Sequence, residues 1–175
     1  MIPKIQNIMC TVDLGCRLNL PYIARNSVNL EYNPEKFNPI VMRIRNPKCT
    51  ALIFTSGKIV CAGTKTESEA KSCARKFARI IQKLGFPVKF LNYRITNIAA
   101  SCELGYSVNL HKIFSPSFTE YNPEIFPALI YRRDGITILT FKSGKVILAN
   151  GKSRKHIYNA WEAFQKSINT APPTS

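Results

Sequence analysis

The apolar positions of this chain first come in short runs and then change period. Ile40–Arg45, Ala51–Phe54 and Ile59–Ala62 are rich in β-branched and aromatic side chains, and the stretches NPKCT and TSGK between them carry turn residues. The pattern predicts a meander of antiparallel strands. After it, Ala70, Cys73, Phe77, Ile80, Ile81 and Leu84 recur at helical intervals, Thr66 and Glu69 stand ahead of them at capping-box spacing, and Gly85 and Pro87 close the run. This predicts a long helix. Its polar face carries Lys71, Arg75, Lys76, Arg79 and Lys83, which alone reads as a solvated helix surface.

The strands are too apolar for a sheet with one wet face, which should alternate apolar and polar positions. Leu52, Phe54, Val60 and Ala62 would share one face, and Ile53, Ile59 and Cys61 the other. The helix covers one face. The second should meet a partner or another part of the chain.

The whole pattern is written twice. EYNPEKF (Glu31–Phe37) returns as EYNPEIF (Glu120–Phe126), IQNIMCTVDLG (Ile5–Gly15) as ITNIAASCELG (Ile95–Gly105), and LNL at Leu18–Leu20 as VNL at Val108–Leu110. Phe-x-Ser-Gly-Lys occurs at Phe54–Lys58 and at Phe141–Lys145, and Ile157, Ala160, Trp161, Phe164 and Ile168 repeat the helical stripe. Residues 1–88 and 89–175 are therefore two copies of one unit, each read as a short helix, several strands and a long helix. Two long copies are not a solenoid, which needs three or more short ones. With no Gly/Ser or Pro-rich linker between them, they suggest a pseudo-dimer folded about a pseudo-twofold axis as one domain.

Charge narrows the partner. The chain has 25 Lys plus Arg against 10 Asp plus Glu, a net +15, with 14 basic and 5 acidic side chains in residues 1–88 and 11 and 5 in residues 89–175. Both copies are basic, so a polyanionic partner is expected. The six cysteines, Cys10, Cys16, Cys49, Cys61, Cys73 and Cys102, form no C-x-x-C pair and read as plain buried or half-buried thiols in a reducing compartment, with no metal and no cofactor. No apolar run has membrane-helix length and Met1–Thr11 lacks a signal-peptide core, so a soluble, unsecreted protein with no membrane partner is expected. No H-E-x-x-H, Walker loop or G-x-S-x-G is present, so no enzyme is expected.

A basic protein with an apolar sheet face calls for a partner that is anionic at its edges and apolar in its middle. The DNA minor groove is such a partner, with phosphates on both rims and few polar groups on its floor. The doubled EYNPE-F, the MRIR, the LIF-SGK and RKFARIIQKLGFPVKF strings closely resemble the conserved core of the TATA-box-binding protein family, from Ile2 to about Ile168. The resemblance implies an α+β saddle of two tandem repeats: a curved antiparallel ten-stranded sheet, concave face on DNA, with four helices on the convex face. It also implies a general transcription initiation factor in the nucleus that binds the minor groove of A·T-rich promoter DNA, bends it by phenylalanine wedging and nucleates the preinitiation complex. The family is itself a standing example of such wedging, so the mechanism comes from the resemblance.

By position, the resemblance puts the wedges at Phe37 and Phe54 and at Phe126 and Phe141. A single Phe in such a strand would be read as core; a symmetric pair of pairs beside turns is harder to read so. Asn7 and Asn97 would donate to minor-groove acceptors, although an Asn capping a turn is the other reading. Leu52, Leu139, Val60 and Ile147 would line the groove floor. Arg43, Arg132, Lys58, Lys145, Ser56 and Ser143 would meet the phosphate rims, which fixes register without reading sequence.

The chain also departs from the family pattern. Ala62 and Ala149 stand where threonines usually bond a base acceptor, and Met9 and Ala99 replace a pair of valines. Relaxed A·T readout is therefore expected, as in a divergent or related paralog. Lys71, Lys76 and Lys83 match the surface for transcription factor IIA. Glu124 and Ile125 match a contact for transcription factor IIB or its polymerase III IIB-related factor, with Asn122 replacing a glutamate there. TATA-box-binding-protein-associated factors are implied as well, and a homodimer through the apolar face is open for the DNA-free protein. The alternative function is a scaffold paralog that recruits transcription factors with weak or no TATA specificity, although such a scaffold would have no need of the wedges.

Overall fold

The computed structural model describes residues 2–113, 115 and 119–169. Ten strands and four helices are present among these, and the strands hydrogen-bond in the orders β2-β3-β4-β5-β1 and β6-β10-β9-β8-β7, which is the α+β class expected. The chain divides into two compact units, Asn7–Thr96 and Met1–Gln6 with Asn97–Ser175.

The Asn7–Thr96 unit contains most of β1 (Lys4–Asp13), then α1 (Leu20–Asn26), β2 (Leu30–Asn33), β3 (Phe37–Arg45), β4 (Lys48–Ile53), β5 (Lys58–Thr64), α2 (Glu67–Lys83) and the start of β6 (Leu91–Glu103). The other unit has the rest of β6, α3 (Leu110–Ile113), β7 (Thr119–Glu120), β8 (Ala128–Arg133), β9 (Ile136–Phe141), β10 (Lys145–Gly151) and α4 (Arg154–Asn169). A strand thus precedes the short helix in each unit, where the apolar pattern suggested a helix first. In β1 only Ile5, Ile8, Cys10 and Val12 are buried, and the polar residues between them hide the strand from a reading based on apolar runs.

Helix α2 begins as its sequence predicts. Thr66 caps it by accepting the Glu69 N–H at 3.2 Å, and the Glu69 carboxylate reaches back to the Lys65 N–H. The helix ends at Lys83, where Gly85 takes a φ of +103°. It buries Ala70, Cys73, Ala74, Phe77, Ala78 and Ile81, while the strand residues buried on the covered face include Ile40, Met42, Ala51, Ile53, Ile59 and Cys61. In the second unit α4 buries Ile157, Ala160, Trp161 and Phe164, and the Phe164 ring packs 5.3 Å from that of Tyr131. Each large side chain moved out of water here contributes about 1.5–3 kcal/mol.

The cysteines are free thiols, four of them buried and Cys16 and Cys102 half-buried. Dispersed in sequence, Cys10, Cys49 and Cys61 of the strands come together with Cys73 of α2. Hydrogen bonding with Cys61 lowers the pKa of the Cys10 and Cys49 thiols, and the same bonds push that of Cys61 up. Burial pushes Cys102 up to about 11. Among the described residues no three His, Cys, Asp or Glu side chains are arranged to hold a metal ion, and no helix is long and apolar enough to cross a membrane.

Candidate nucleic-acid interface

In both units the sheet face away from the long helix is apolar and only partly covered. Alternation along the strands puts Leu52, Val60 and Ala62 on it, with Leu52 and Val60 directly paired across β4 and β5. Leu139, Ile147 and Ala149 occupy the same places in the second unit, with Leu139 paired to Ile147. Met9 and Ala99, from β1 and β6, are half-buried beside them. The division of faces expected from the sequence holds at these strands.

Asn7 of β1 and Asn97 of β6 are corresponding polar residues of the two faces. Asn7 accepts the Gly63 N–H through Oδ1 at 2.7 Å, and Asn97 accepts the Asn150 N–H through Oδ1 at 2.9 Å. Both donors lie where the ladder register shifts, and both take a positive φ, +111° at Gly63 and +68° at Asn150. A backbone N–H can be accepted only by the amide oxygen, so each side chain is fixed with its oxygen used and its NH2 available as a donor. The turn-capping and groove-donor readings of these asparagines are therefore compatible. The left-handed positions in CAG and LANG were the sequence signal for the bulge, since Gly and Asn adopt that conformation most readily.

The phenylalanines stand at strand ends and turns, Phe37 at the start of β3, Phe54 just after β4, Phe126 just before β8 and Phe141 at the end of β9. Phe37 is 50% exposed and Phe126 39%, unusual for large aromatics in a folded chain. Phe54 and Phe141 are half-buried, and the Phe126 and Phe141 rings meet edge to face with centroids 6.3 Å apart. None of the four is a core residue.

The repeated E-Y-N-P-E phrase builds the edge that presents them. The Asn33 carbonyl accepts the Lys36 N–H at 3.0 Å, and the Asn122 carbonyl accepts the Ile125 and Phe126 N–H groups at 3.0 and 2.9 Å. These turns place Phe37 and Phe126. The leading glutamates bind the rim arginines: Glu31 to Arg43 at 3.0 Å and Glu120 to Arg132 at 2.9 Å, a pairing that sequence reading missed.

The Phe-x-Ser-Gly-Lys turns are held by the loop after β1 or β6. Leu14 N–H donates to Gly57 O and Leu104 N–H to Gly144 O, each at 2.9 Å. Both glycines have a φ of +94°, and a Cβ on either would stand 2.3 Å from a backbone carbonyl, Cys16 O or Tyr106 O. Only glycine fits. Ser56 and Ser143 lie exposed in these turns, each Oγ facing the N–H of Lys58 or Lys145 at 3.4 Å, and both lysines are exposed at the strand starts.

Among the expected partner residues, Lys71 places its ammonium 5.8 Å over the Tyr93 ring and Lys76 donates to the Asn46 carbonyl. Lys76 and Lys83 line a groove with Arg43, Arg45 and Arg79. Asn122 and Glu124 are exposed, and Ile125 is 82% exposed.

The family described as "Transcription factor TFIID (or TATA-binding protein, TBP)" matches residues 2–84 and again residues 92–171. A Rattus norvegicus protein, "TATA box-binding protein-like 2", is 47% identical over 166 residues, covering 93% of this chain and 48% of its own. The Xenopus tropicalis "TATA-box-binding protein" is 48% identical over 166 residues, 93% of this chain and 56% of its own. The chain thus spans about half the length of these relatives. The solved structure of "Methanococcus jannaschii TBP" superposes with a TM-score of 0.81 at 33% identity, over 97% of this chain and 99% of that one. The chain belongs to the TATA-binding protein family.

Proposed function

We propose that this protein is a transcription initiation factor that binds the minor groove of A·T-rich promoter duplex through the open sheet faces of both units. The observation that carries this reading is the fixed orientation of Asn7 and Asn97, whose amide oxygens are occupied by backbone N–H groups. Two amide donors are thereby available on the open face, beside the hydroxyls of Thr11, Thr50, Ser101 and Thr137. A·T pairs present only acceptors in the minor groove, whereas G·C adds a guanine amino group that would oppose those donors. Leu52, Val60, Leu139 and Ile147 lie against the groove floor.

Phe37 with Phe54 and Phe126 with Phe141 wedge between base steps at the two ends and bend the duplex. Unstacking costs a few kcal/mol per step, offset by the contact that a bent duplex makes with the face. Arg43, Arg132, Lys58, Lys145, Ser56 and Ser143 meet the phosphates. Ala62 and Ala149 supply no hydroxyl, so the preference is for A·T over G·C rather than for one strict TATA element. On this reading the bound protein nucleates a preinitiation complex in the nucleus. Lys71, Lys76 and Lys83 face transcription factor IIA, Asn122, Glu124 and Ile125 face transcription factor IIB or its polymerase III relative, and associated factors join them.

The test is a gel-shift titration of an A·T-rich duplex against a G·C-substituted one at two salt concentrations, with bending read by fluorescence transfer between end labels. Tight, salt-dependent, bent and A·T-preferring binding is expected. Binding with neither bend nor preference would instead favour a scaffold that holds other factors.

A further inference from the structure

Carboxylates are out of place on a surface meant for a polyanion, yet the open face has one beside each rim arginine. Glu31 lies on edge strand β2 opposite Val41, which is itself paired with Leu52 of the apolar face. Its Oε1 is 3.0 Å from Arg43 Nη1. Glu120 lies on edge strand β7 opposite Ile130, which pairs with Leu139, and its Oε2 is 2.9 Å from Arg132 Nη1. Two units that differ elsewhere thus keep the same ion pair in the same place.

The pairs are not structural necessities. Their side chains are 54% and 72% exposed in one unit and 62% and 65% in the other, so water, and equally a phosphate, reaches both partners. Exposed ion pairs of this kind add little to stability. In the β1–β5 and β6–β10 ladders Lys58 stands opposite Asp13 and Lys145 opposite Glu103 as register neighbours. Each of the four rim cations therefore has an acidic neighbour on its own face.

The geometry points to Glu31 and Glu120 as counter-charges that hold Arg43 and Arg132 away from phosphate and so limit how tightly the open face grips duplex DNA of any sequence. This rests on the duplex-binding reading above. A phosphate that engages the arginine must displace the carboxylate or accept it as a like-charged neighbour. Because phosphate contacts carry no sequence information, the restraint falls equally on every duplex. It moderates the sequence-independent attraction that a net charge of +15 creates and leaves selectivity to the asparagines and phenylalanines.

The test uses the double variant Glu31→Gln with Glu120→Gln, which keeps the side-chain shape and removes the charge. It is titrated against an A·T-rich and a G·C duplex over a salt series, beside the unsubstituted protein. Affinity for both duplexes should rise by a similar factor at low salt, roughly three- to tenfold, and the log–log salt slope should steepen by up to about 0.9 for each arginine released. In a background of Arg43→Gln with Arg132→Gln the same change should raise affinity much less, because the carboxylates act through the arginines. Equal or weaker binding with an unchanged slope, or a gain confined to the A·T duplex, overturns the inference alone. Failure of the unsubstituted protein to bind either duplex overturns the duplex-binding reading along with it.

Discussion

The two units repeat their open faces and diverge behind them. On the open side Asn7 matches Asn97, Leu52 matches Leu139, Phe37 and Phe54 match Phe126 and Phe141, Ala62 matches Ala149, and Arg43 matches Arg132. On the covered side, Cys10, Cys49, Cys61 and Cys73 give way to Ala100, Ile136, Leu148 and Ala160, and Ala74 to Trp161, all of them buried. Packing tolerates such exchanges so long as total volume and pattern are kept. Half-exposed residues, in contrast, are ordinarily the freest to differ, since surface changes alter stability little. Here the order is reversed. Folding alone gives no reason for an exposed Phe, a fixed Asn amide and an exposed ion pair to occur twice, whereas the duplex binding proposed above does.

Substitutions on the two faces should therefore separate stability from recognition. Phe77→Ala and Phe164→Ala remove fully buried rings and should each cost about 3–5 kcal/mol of stability, measured by denaturant unfolding, without altering the A·T to G·C preference of the folded fraction. Phe126→Ala with Phe141→Ala should do the opposite, leaving unfolding little changed while A·T duplex affinity drops about a hundredfold and the bend is lost in fluorescence transfer. The pair Phe37→Ala with Phe54→Ala should behave alike, and a defect in one unit only would break the symmetry of the comparison.

Asn7→Asp and Asn97→Asp keep the acceptor for Gly63 or Asn150 and replace the outward donor with a charged acceptor. Each should weaken A·T binding by about tenfold, or more at low salt, in the same gel-shift titration, with the fold intact. The smallest effect is expected from Ala62→Thr with Ala149→Thr. A hydroxyl on each half-buried position should improve A·T affinity roughly fivefold, about 1 kcal/mol, in competition against G·C duplex.

Much of this was legible in the sequence because it rests on period and repetition. The helical stripe from Ala70, the capping pair Thr66 and Glu69, and the alternation that separates Leu52 from Ile53 are local rules, and α2 and β4 follow them. The positions of the phenylalanines and asparagines came from resemblance, and their geometry came only from the structure. Strand β1 escaped notice because half of its residues face outward and are polar. The hydrogen bond from Gly63 to Asn7 spans 56 residues in sequence, and no periodic pattern reaches that far. The pairing of Glu31 with Arg43 depends on which residues of β2 and β3 lie side by side, a register that the turn at Asn33 sets. The gathering of Cys10, Cys49 and Cys61 with Cys73 of α2 has the same origin, since spacing along the chain says nothing about which elements are neighbours.

Reading of DNA from the minor groove by these open faces, as proposed, is tested directly by one duplex. In inosine·cytosine pairs the guanine amino group is missing, so the minor groove resembles that of A·T while the major groove keeps the pattern of G·C. A duplex in which A·T pairs are replaced by inosine·cytosine should bind nearly as tightly as the A·T duplex and far more tightly than the G·C one. Binding of the inosine duplex as weak as that of the G·C duplex would contradict minor-groove recognition by Asn7, Asn97 and the apolar faces around them.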